Sequence, residues 1–283
     1  MDIPEELARV TTMAFDVDGT LTNADHLVSE ASLSALKKLD EAGVQLIITT
    51  GRAPAAAAST LHDVGLHGWI SACNGAHVSD LATGEVLRTA PVPPEVIISV
   101  LDLCDEADIA CSIFTADDIL VSRPGMLFDF VTAANPGSPP TITDLRTIDP
   151  ATVLKLMPAT DKDQMAELFP RFRELAPLAS LSLDQTCEII GPGAGKEHGL
   201  AFLFDRLQVS PDQVAGMGDG GNDVGWLSMI GWPIAMGNAR DEVKEVARLE
   251  IGHHLDDAMA TFVDDWLAAR ERVGITQHAK QEA

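Results

Sequence analysis

The sequence predicts an α/β protein: a parallel-sheet domain interrupted by an inserted α+β domain. Three observations carry this. Short apolar runs alternate with helical stretches over residues 12–72, the pattern of a parallel sheet with right-handed crossovers. The rhythm then breaks, and prolines and short β-like runs crowd the middle of the chain. It resumes from Glu188 to the C-terminus. The expected division is therefore 1–82 and 188–283 for the sheet domain and 83–187 for the insert. A length of 283 residues suits one large or two modest domains and is enough to bury a sizeable core.

The first apolar run, Thr12-Met13-Ala14-Phe15, is cut off by Asp16, Asp18 and Gly19, as a buried strand ending in a polar loop would be. Ser32 is the expected cap of a helix with an apolar stripe at Leu33, Leu36, Leu39 and Ala42, stopped by Gly43. Residues 44–49 form a second strand that ends in Thr50-Gly51-Arg52. Ala53–Leu61 reads as a helix with Pro54 in its first turn, Trp69–Ala72 as a third strand, and Asn74-Gly75 as a turn. Within the insert, β-like runs stand at 110–115, 119–122, 152–157 and 178–183, and helices follow Pro93, Pro124 and Asp161. Past Glu188, Gln213–Met217 is a strand entering Gly218-Asp219-Gly220-Gly221-Asn222-Asp223. Ile234–Met236 is another strand, and helices follow over 241–247 and 258–269. The polar stretch Thr276–Ala283 reads as a frayed end.

The 19 lysines and arginines stand against 43 aspartates and glutamates, a net charge of −24. Such a surface repels nucleic-acid backbones and anionic lipid, so neither is an expected partner. A single small anion is still admissible, because local charge can oppose the total. Cys73, Cys104, Cys111 and Cys187 form no C-x-x-C pair and read as buried free thiols. No apolar run approaches the ~20 residues of a membrane span, and the acidic start is not a signal peptide. A reduced, cytoplasmic protein is the expectation; its oligomeric state is not legible.

Four pieces carry chemistry, each beside the end of an apolar run: Asp16-x-Asp18-Gly19-Thr20, Thr50-Gly51-Arg52, Lys196, and Gly218-Asp219-x-x-Asn222-Asp223. Loops beyond the carboxyl ends of parallel strands converge on one crevice. Asp16, Asp18 and Asp219 would meet there, and their mutual repulsion calls for a hard cation, an oxygen-ligand set that suits Mg²⁺. Taken singly, each piece has a plainer reading: Asp-x-Asp-Gly as a turn, Thr50 as part of a strand-to-helix turn, Lys196 as a surface lysine. Gly216-x-Gly218-x-x-Gly221 mimics a dinucleotide loop, but Asp219 would face the pyrophosphate. Gly195-Lys196 mimics a nucleotide-binding loop, but the required upstream glycine is out of register and Glu197 replaces the hydroxyl residue. His253-His254 lacks zinc-like partners and reads as a solvated turn.

Together, in this order, the four pieces resemble the motifs of the haloacid dehalogenase (HAD) superfamily, and the large insert resembles the C2-type cap of its Cof-like branch. Asn74-Gly75-Ala76 and Ala235-Met236-Gly237-Asn238-Ala239 are similar to recurring Cof-like segments. One departure is Glu197, where the family usually has glycine after the lysine; the helix could start later than Lys196. The resemblance implies a Rossmann-like core with an inserted cap, and a Mg²⁺-dependent phosphatase. Asp16 would form an aspartyl-phosphate, and Asp18 would act as general acid and base. Asp16, Asp219 and the backbone carbonyl of Asp18 would hold the ion, with Asn222 and Asp223 supporting it. Thr50, Gly51, Lys196 and Asn222 would contact the phosphate. The implied substrate is a small phosphorylated metabolite such as a sugar phosphate. A phosphosugar mutase, or a slow-turnover regulatory protein sensing such a metabolite, stays open as an alternative. So does whether Arg52 anchors a carboxylate or substrate, whether Asn74 reaches substrate, and whether Phe114, Arg123, Met126, Phe128 and Phe130 line the pocket or pack the cap.

Overall fold

The computed structural model describes residues 1–62 and 65–275. The expected frayed end, Thr276–Ala283, lies outside them. The chain first forms strands β1 (Thr12–Phe15), β2 (Gln45–Thr49), β3 (Trp69–Ala72), β4 (His77–Asp80) and β5 (Val86–Thr89). It then builds β6 (Ala110–Phe114), β7 (Ile119–Val121), β8 (Thr141–Ile142), β9 (Lys155–Ala159), β10 (Ser180–Leu183) and β11 (Thr186–Ile190). It closes with β12 (Val214–Gly218), β13 (Trp232–Ala235) and β14 (Leu249–Glu250).

Among the described residues these make two sheets. The first has the order β14-β13-β12-β1-β2-β3-β4-β5 and the second β10-β11-β9-β6-β7-β8. Neighbours from β14 to β3 pair in parallel, as expected; β4 and β5 add an antiparallel edge that the sequence reading did not place. The central strand β1 is buried at all four positions, as a strand covered on both faces should be. Trp226, Trp266, Phe15 and Phe262 are the largest side chains in this core.

Strand pairing runs across the expected joins at 82/83 and 187/188. Strand β5 belongs to the first sheet and β11 to the second. The reason is hydrogen bonding rather than composition: His77–Ser79 of β4 recruit Val86–Thr89, and Thr186–Ile190 pairs with Lys155–Ala159. The insert is an α+β unit with its own core of Ile113, Leu156, Met165, Phe172 and Ile189. A further apolar cluster joins the two units, with Ala53, Cys73 and Ala76 meeting Phe114, Leu127 and Met157. Ala53 N–H also donates to Asn135 Oδ1 at 3.1 Å, so polar and apolar contacts both seat the insert on the sheet domain.

Local details refine the sequence reading. The helix Glu30–Glu41 is capped by Ser29, whose hydroxyl accepts the Ser32 N–H; Ser32 is a buried first-turn residue rather than the cap. All four cysteines are free and buried. His253-His254 is not a simple solvated turn: the rings stack at 4.8 Å, and His254 Nδ1 lies 2.6 Å from the Thr22 carbonyl. No helix among the described residues is long and apolar enough to cross a membrane.

Candidate active site

The carboxyl ends of β1, β2 and β12 bring the expected residues to one crevice. Asp16 directly follows β1, and Asp219 directly follows β12, so parallel pairing sets their loops side by side. The helix Lys196–Leu207 starts at the lysine itself, so Glu197 does not delay it. Close approach is managed elsewhere: Gly75, in the left-handed region at φ +80°, faces the Gly195 carbonyl, and a Cβ there would stand 2.1 Å from that oxygen. Glycine at 75 thus lets the start of the helix sit against the turn after β3.

Lys196 is buried, and its ammonium donates to Asp16 Oδ1 at 2.6 Å and Asp223 Oδ1 at 2.7 Å. Asp223 is saturated: Oδ1 also accepts the Trp226 indole N–H at 2.8 Å, and Oδ2 accepts the N–H groups of Asp219 and Gly220 at 3.1 and 2.9 Å. Asp16, Asp219 and Asp223 each place one oxygen within 4.8 Å of the others. Burial pushes the Asp16 carboxyl well above its ordinary range; Lys196 opposes this, and Asp223, Asp219 and Asp18 add to it. Burial and then Asp223 push Asp219 up to about 6, against a weaker pull from Lys196. Lys196 itself is held above its ordinary value: desolvation is the largest effect and lowers it, but the attractions of Asp16 and Asp223 together prevail. The carboxylates therefore outweigh the one ammonium among them.

Asp18 faces the other way. Arg52 Nε and Nη2 grip its two carboxylate oxygens at 2.9 and 2.6 Å, and Nη2 also donates to the His26 carbonyl at 2.7 Å. Arg52 therefore anchors a carboxylate, and it also lines the cavity. The Asp18 side chain remains 43% exposed, at the edge of the crevice. Asn238 Nδ2 donates to the Gly19 carbonyl at 2.8 Å and Asp219 Oδ2 at 3.2 Å, tying the first and last motif loops together.

A cavity of about 500 Å³ opens over this group, between the two units. Asp16, Asp18, Gly51, Asp219 and Asn222 line it. Thr50 and Asp223 are buried and do not line it; Lys196, also buried, lines an adjoining cavity of about 140 Å³ with Asn74 and Asn222. The Thr50 hydroxyl oxygen accepts the Arg52 N–H at 3.1 Å, which leaves the hydroxyl proton available to a further acceptor. From the insert, Phe114 and Phe130 reach the cavity. Phe128 packs in the apolar cluster, Met126 is exposed, and Arg123 pairs with Asp108 on the surface.

Three features escaped the sequence reading. Trp226 and Asn238 hold the last motif in place; the Gly-Asn step after β13 was the signal for Asn238. Lys155 and Glu188 form a 2.8 Å ion pair that also lines the cavity. Each is a single charge inside an apolar strand, Leu154-Lys155-Leu156 and Cys187-Glu188-Ile189, and that isolation was their signal.

Comparison with known proteins places the chain in a family. A family model described as haloacid dehalogenase-like hydrolase matches residues 13–263. The HMP-PP phosphatase of Enterobacter sp. (strain 638) is 29% identical over 262 residues, 90% of this chain and 94% of that protein. Pyridoxal phosphate phosphatase YbhA of Escherichia coli (strain K12) is 27% identical over 273 residues, 89% of this chain and 96% of that protein. Among solved structures, a haloacid dehalogenase-like hydrolase from Bacteroides thetaiotaomicron superposes with a TM-score of 0.80 at 22% identity, covering 90% of this chain and 98% of that one.

Proposed function

This chain belongs to the haloacid dehalogenase-like hydrolase family, and from that premise we propose that it is a Mg²⁺-dependent phosphatase of small phosphomonoesters that works through an aspartyl-phosphate on Asp16. The phosphatase activity itself agrees with its relatives, two of which are named for acting on HMP-PP and pyridoxal phosphate. The observation that carries the reading is the excess of carboxylate beside a small cavity: Asp16, Asp219 and Asp223 within 4.8 Å, with one lysine among them.

That donor set fits Mg²⁺. It is all oxygen, and the upward shift of Asp16 and Asp219 signals positive charge still wanting. Asp16 and Asp219 would hold the ion together with the backbone carbonyl of Asp18. Asp223, with both oxygens already engaged, would support them from behind, and Asn222 stands at the cavity beside them. Bound there, the ion would screen the carboxylates from an incoming phosphate and withdraw charge from its oxygens.

The chain's own residues perform the steps. A carboxylate oxygen of Asp16 attacks phosphorus, and the phosphorus–oxygen bond to the leaving alcohol breaks. Asp18 gives that alcohol its proton and then takes one from the water that hydrolyses the intermediate. The Arg52 fork fixes where Asp18 stands. Lys196, beside Asp16, and Thr50, with its hydroxyl proton to donate, hold phosphoryl oxygens as negative charge shifts among them. The cap, seated over the cavity, excludes water and meets the leaving group. With four free thiols, the reduced cytoplasm is the compartment we assign.

The test is phosphate release from a panel of phosphorylated metabolites, with Mg²⁺ and with EDTA. Turnover of several small esters that EDTA abolishes and Mg²⁺ restores supports the reading. No release from any phosphomonoester, or release indifferent to EDTA, contradicts it.

A further inference from the structure

The ion pair Lys155–Glu188 belongs to neither the phosphate site nor the cap's apolar core, yet it is buried against the cavity. Lys155 is 2% exposed and Glu188 9%. They stand on the adjacent cap strands β9 and β11 and reach down to the sheet domain. Lys155 Nζ donates to Glu188 Oε1 at 2.8 Å and to the carbonyl of Gly51 at 2.7 Å, in the loop that carries Thr50. Its charge also lies 4.3 Å from the centre of the Phe114 ring. Glu188 Oε2 accepts Asn74 Nδ2 at 2.8 Å, and Asn74 Oδ1 in turn faces Asn222 Nδ2 at 3.4 Å. Asn74 is held at φ +51° and Cys73 at φ +47°, two successive non-glycine residues in the left-handed region. Such strain persists only where the surroundings enforce it, and it concentrates at functional sites.

Buried ion pairs add little to stability, since desolvation consumes most of their attraction. This one has a different use, which follows from counting lone pairs. Lys155 has spent two of its three protons on oxygen, and its ammonium lies against the Phe114 ring. Glu188 has accepted two hydrogen bonds of about four that its carboxylate can take. Burial raises the Glu188 carboxyl, but Lys155 and Asn74 outweigh that and hold it below its ordinary value, so it is an anion at neutral pH. Toward the cavity, the pair thus offers the unused acceptor positions of the Glu188 carboxylate.

We propose that Glu188, held by Lys155 and Asn74, is a specificity-determining residue that accepts a hydrogen bond from a hydroxyl or N–H group on the leaving group. Esters whose leaving group carries such a donor are favoured over esters with a purely apolar one. Leaving groups that present a carboxylate to Glu188 are rejected. The inference rests on the phosphatase reading for its kinetics, but the binding of the released alcohol tests it without turnover.

The experiment compares wild type, Glu188→Gln and the double variant Lys155→Met with Glu188→Leu, all with Mg²⁺. The double variant removes both charges together, so no lone charge is left buried to unfold the cap. The first reading is the ratio of kcat/KM for glycerol 2-phosphate to that for phenyl phosphate. The second is the calorimetric affinity of glycerol against that of phenol, in the presence of inorganic phosphate. A fall in both ratios of about tenfold in either variant, the loss of one charge-assisted hydrogen bond, is the expected result. Unchanged ratios overturn the proposal, including the case where both esters slow in parallel. If no ester is hydrolysed, the phosphatase reading fails, and the affinity ratio alone decides this one.

Discussion

Asp16 and Asp18 are two residues apart in sequence and sit in opposite surroundings. Asp16 is buried against an ammonium and two further carboxylates; Asp18 is half-exposed in the grip of a guanidinium. Asp16→Asn should therefore abolish turnover of an aryl phosphate while the protein stays folded, because the lost oxygen is the proposed nucleophile. Asp18→Asn should slow steady turnover by about 10²–10⁴-fold, the usual worth of a general acid–base. Robust activity of either variant contradicts its role. The same residues set a pH dependence. Asp16 and Asp219 are raised in the folded, ion-free protein, Asp219 to about 6 from 3.8. Between those values the folded chain holds more protons than the unfolded one, so stability declines as pH rises through that window. For Asp219 the penalty is on the order of 3 kcal/mol. Mg²⁺ bound as proposed would replace those protons, so its stabilising effect should grow with pH. We expect Mg²⁺ to raise Tm by several degrees more at about pH 7.5 than at about pH 4.5; an equal rise at both contradicts the assignment of these carboxylates to the ion. These residues were legible because each ends an apolar run, where a strand delivers its loop to the crevice. Glu188 and Lys155 each stand out as a lone charge in an apolar strand, but that they pair was not legible, because the partner lies across a sheet pairing that no local pattern encodes.

The strands and helices put those residues in register. The sequence exposes β1, β2, β3 and β12 through unbroken apolar runs, since strands covered on both faces need them. It hides β4 and β5, where the sheet edge is partly polar and Val86–Thr89 is half-exposed. It also hides the ownership of β11, because a strand's sheet is settled by its partner. The lysine helix illustrates a local compensation. The expected glycine after Lys196 is absent, and the close contact is made instead through Gly75 and through Gly199, whose added Cβ would stand 2.2 Å from Ser71 Oγ. Gly75→Ala forces a Cβ onto the Gly195 carbonyl in a left-handed conformation. The backbone alone should lose about 1–2 kcal/mol. The displacement of Lys196 should lower kcat as well, since it moves the ammonium off Asp16. A variant with wild-type Tm and wild-type kcat would show that the turn does not position the helix.

At the scale of the molecule, charge and the cap decide what reaches the site. A net charge of −24 repels long polyanions, whereas in the proposed mechanism one phosphate meets Lys196 and the bound ion. The cavity of about 500 Å³ under the cap suits a small leaving group rather than a folded partner. At matched ionic strength, kcat/KM for a small ester should therefore exceed that for a phosphopeptide or a 5′-phosphorylated oligonucleotide; the reverse order contradicts the small-metabolite reading. The aspartyl-phosphate proposed on Asp16 can be trapped directly. Asp18→Asn protein, mixed with an aryl phosphate and Mg²⁺ and quenched in acid, should carry a phosphoryl group that hydroxylamine removes. Mass spectrometry of its peptides should place that group on Asp16. Label on any other residue, or aryl phosphate cleavage with Asp16 never modified, would show that the reaction does not pass through this carboxylate.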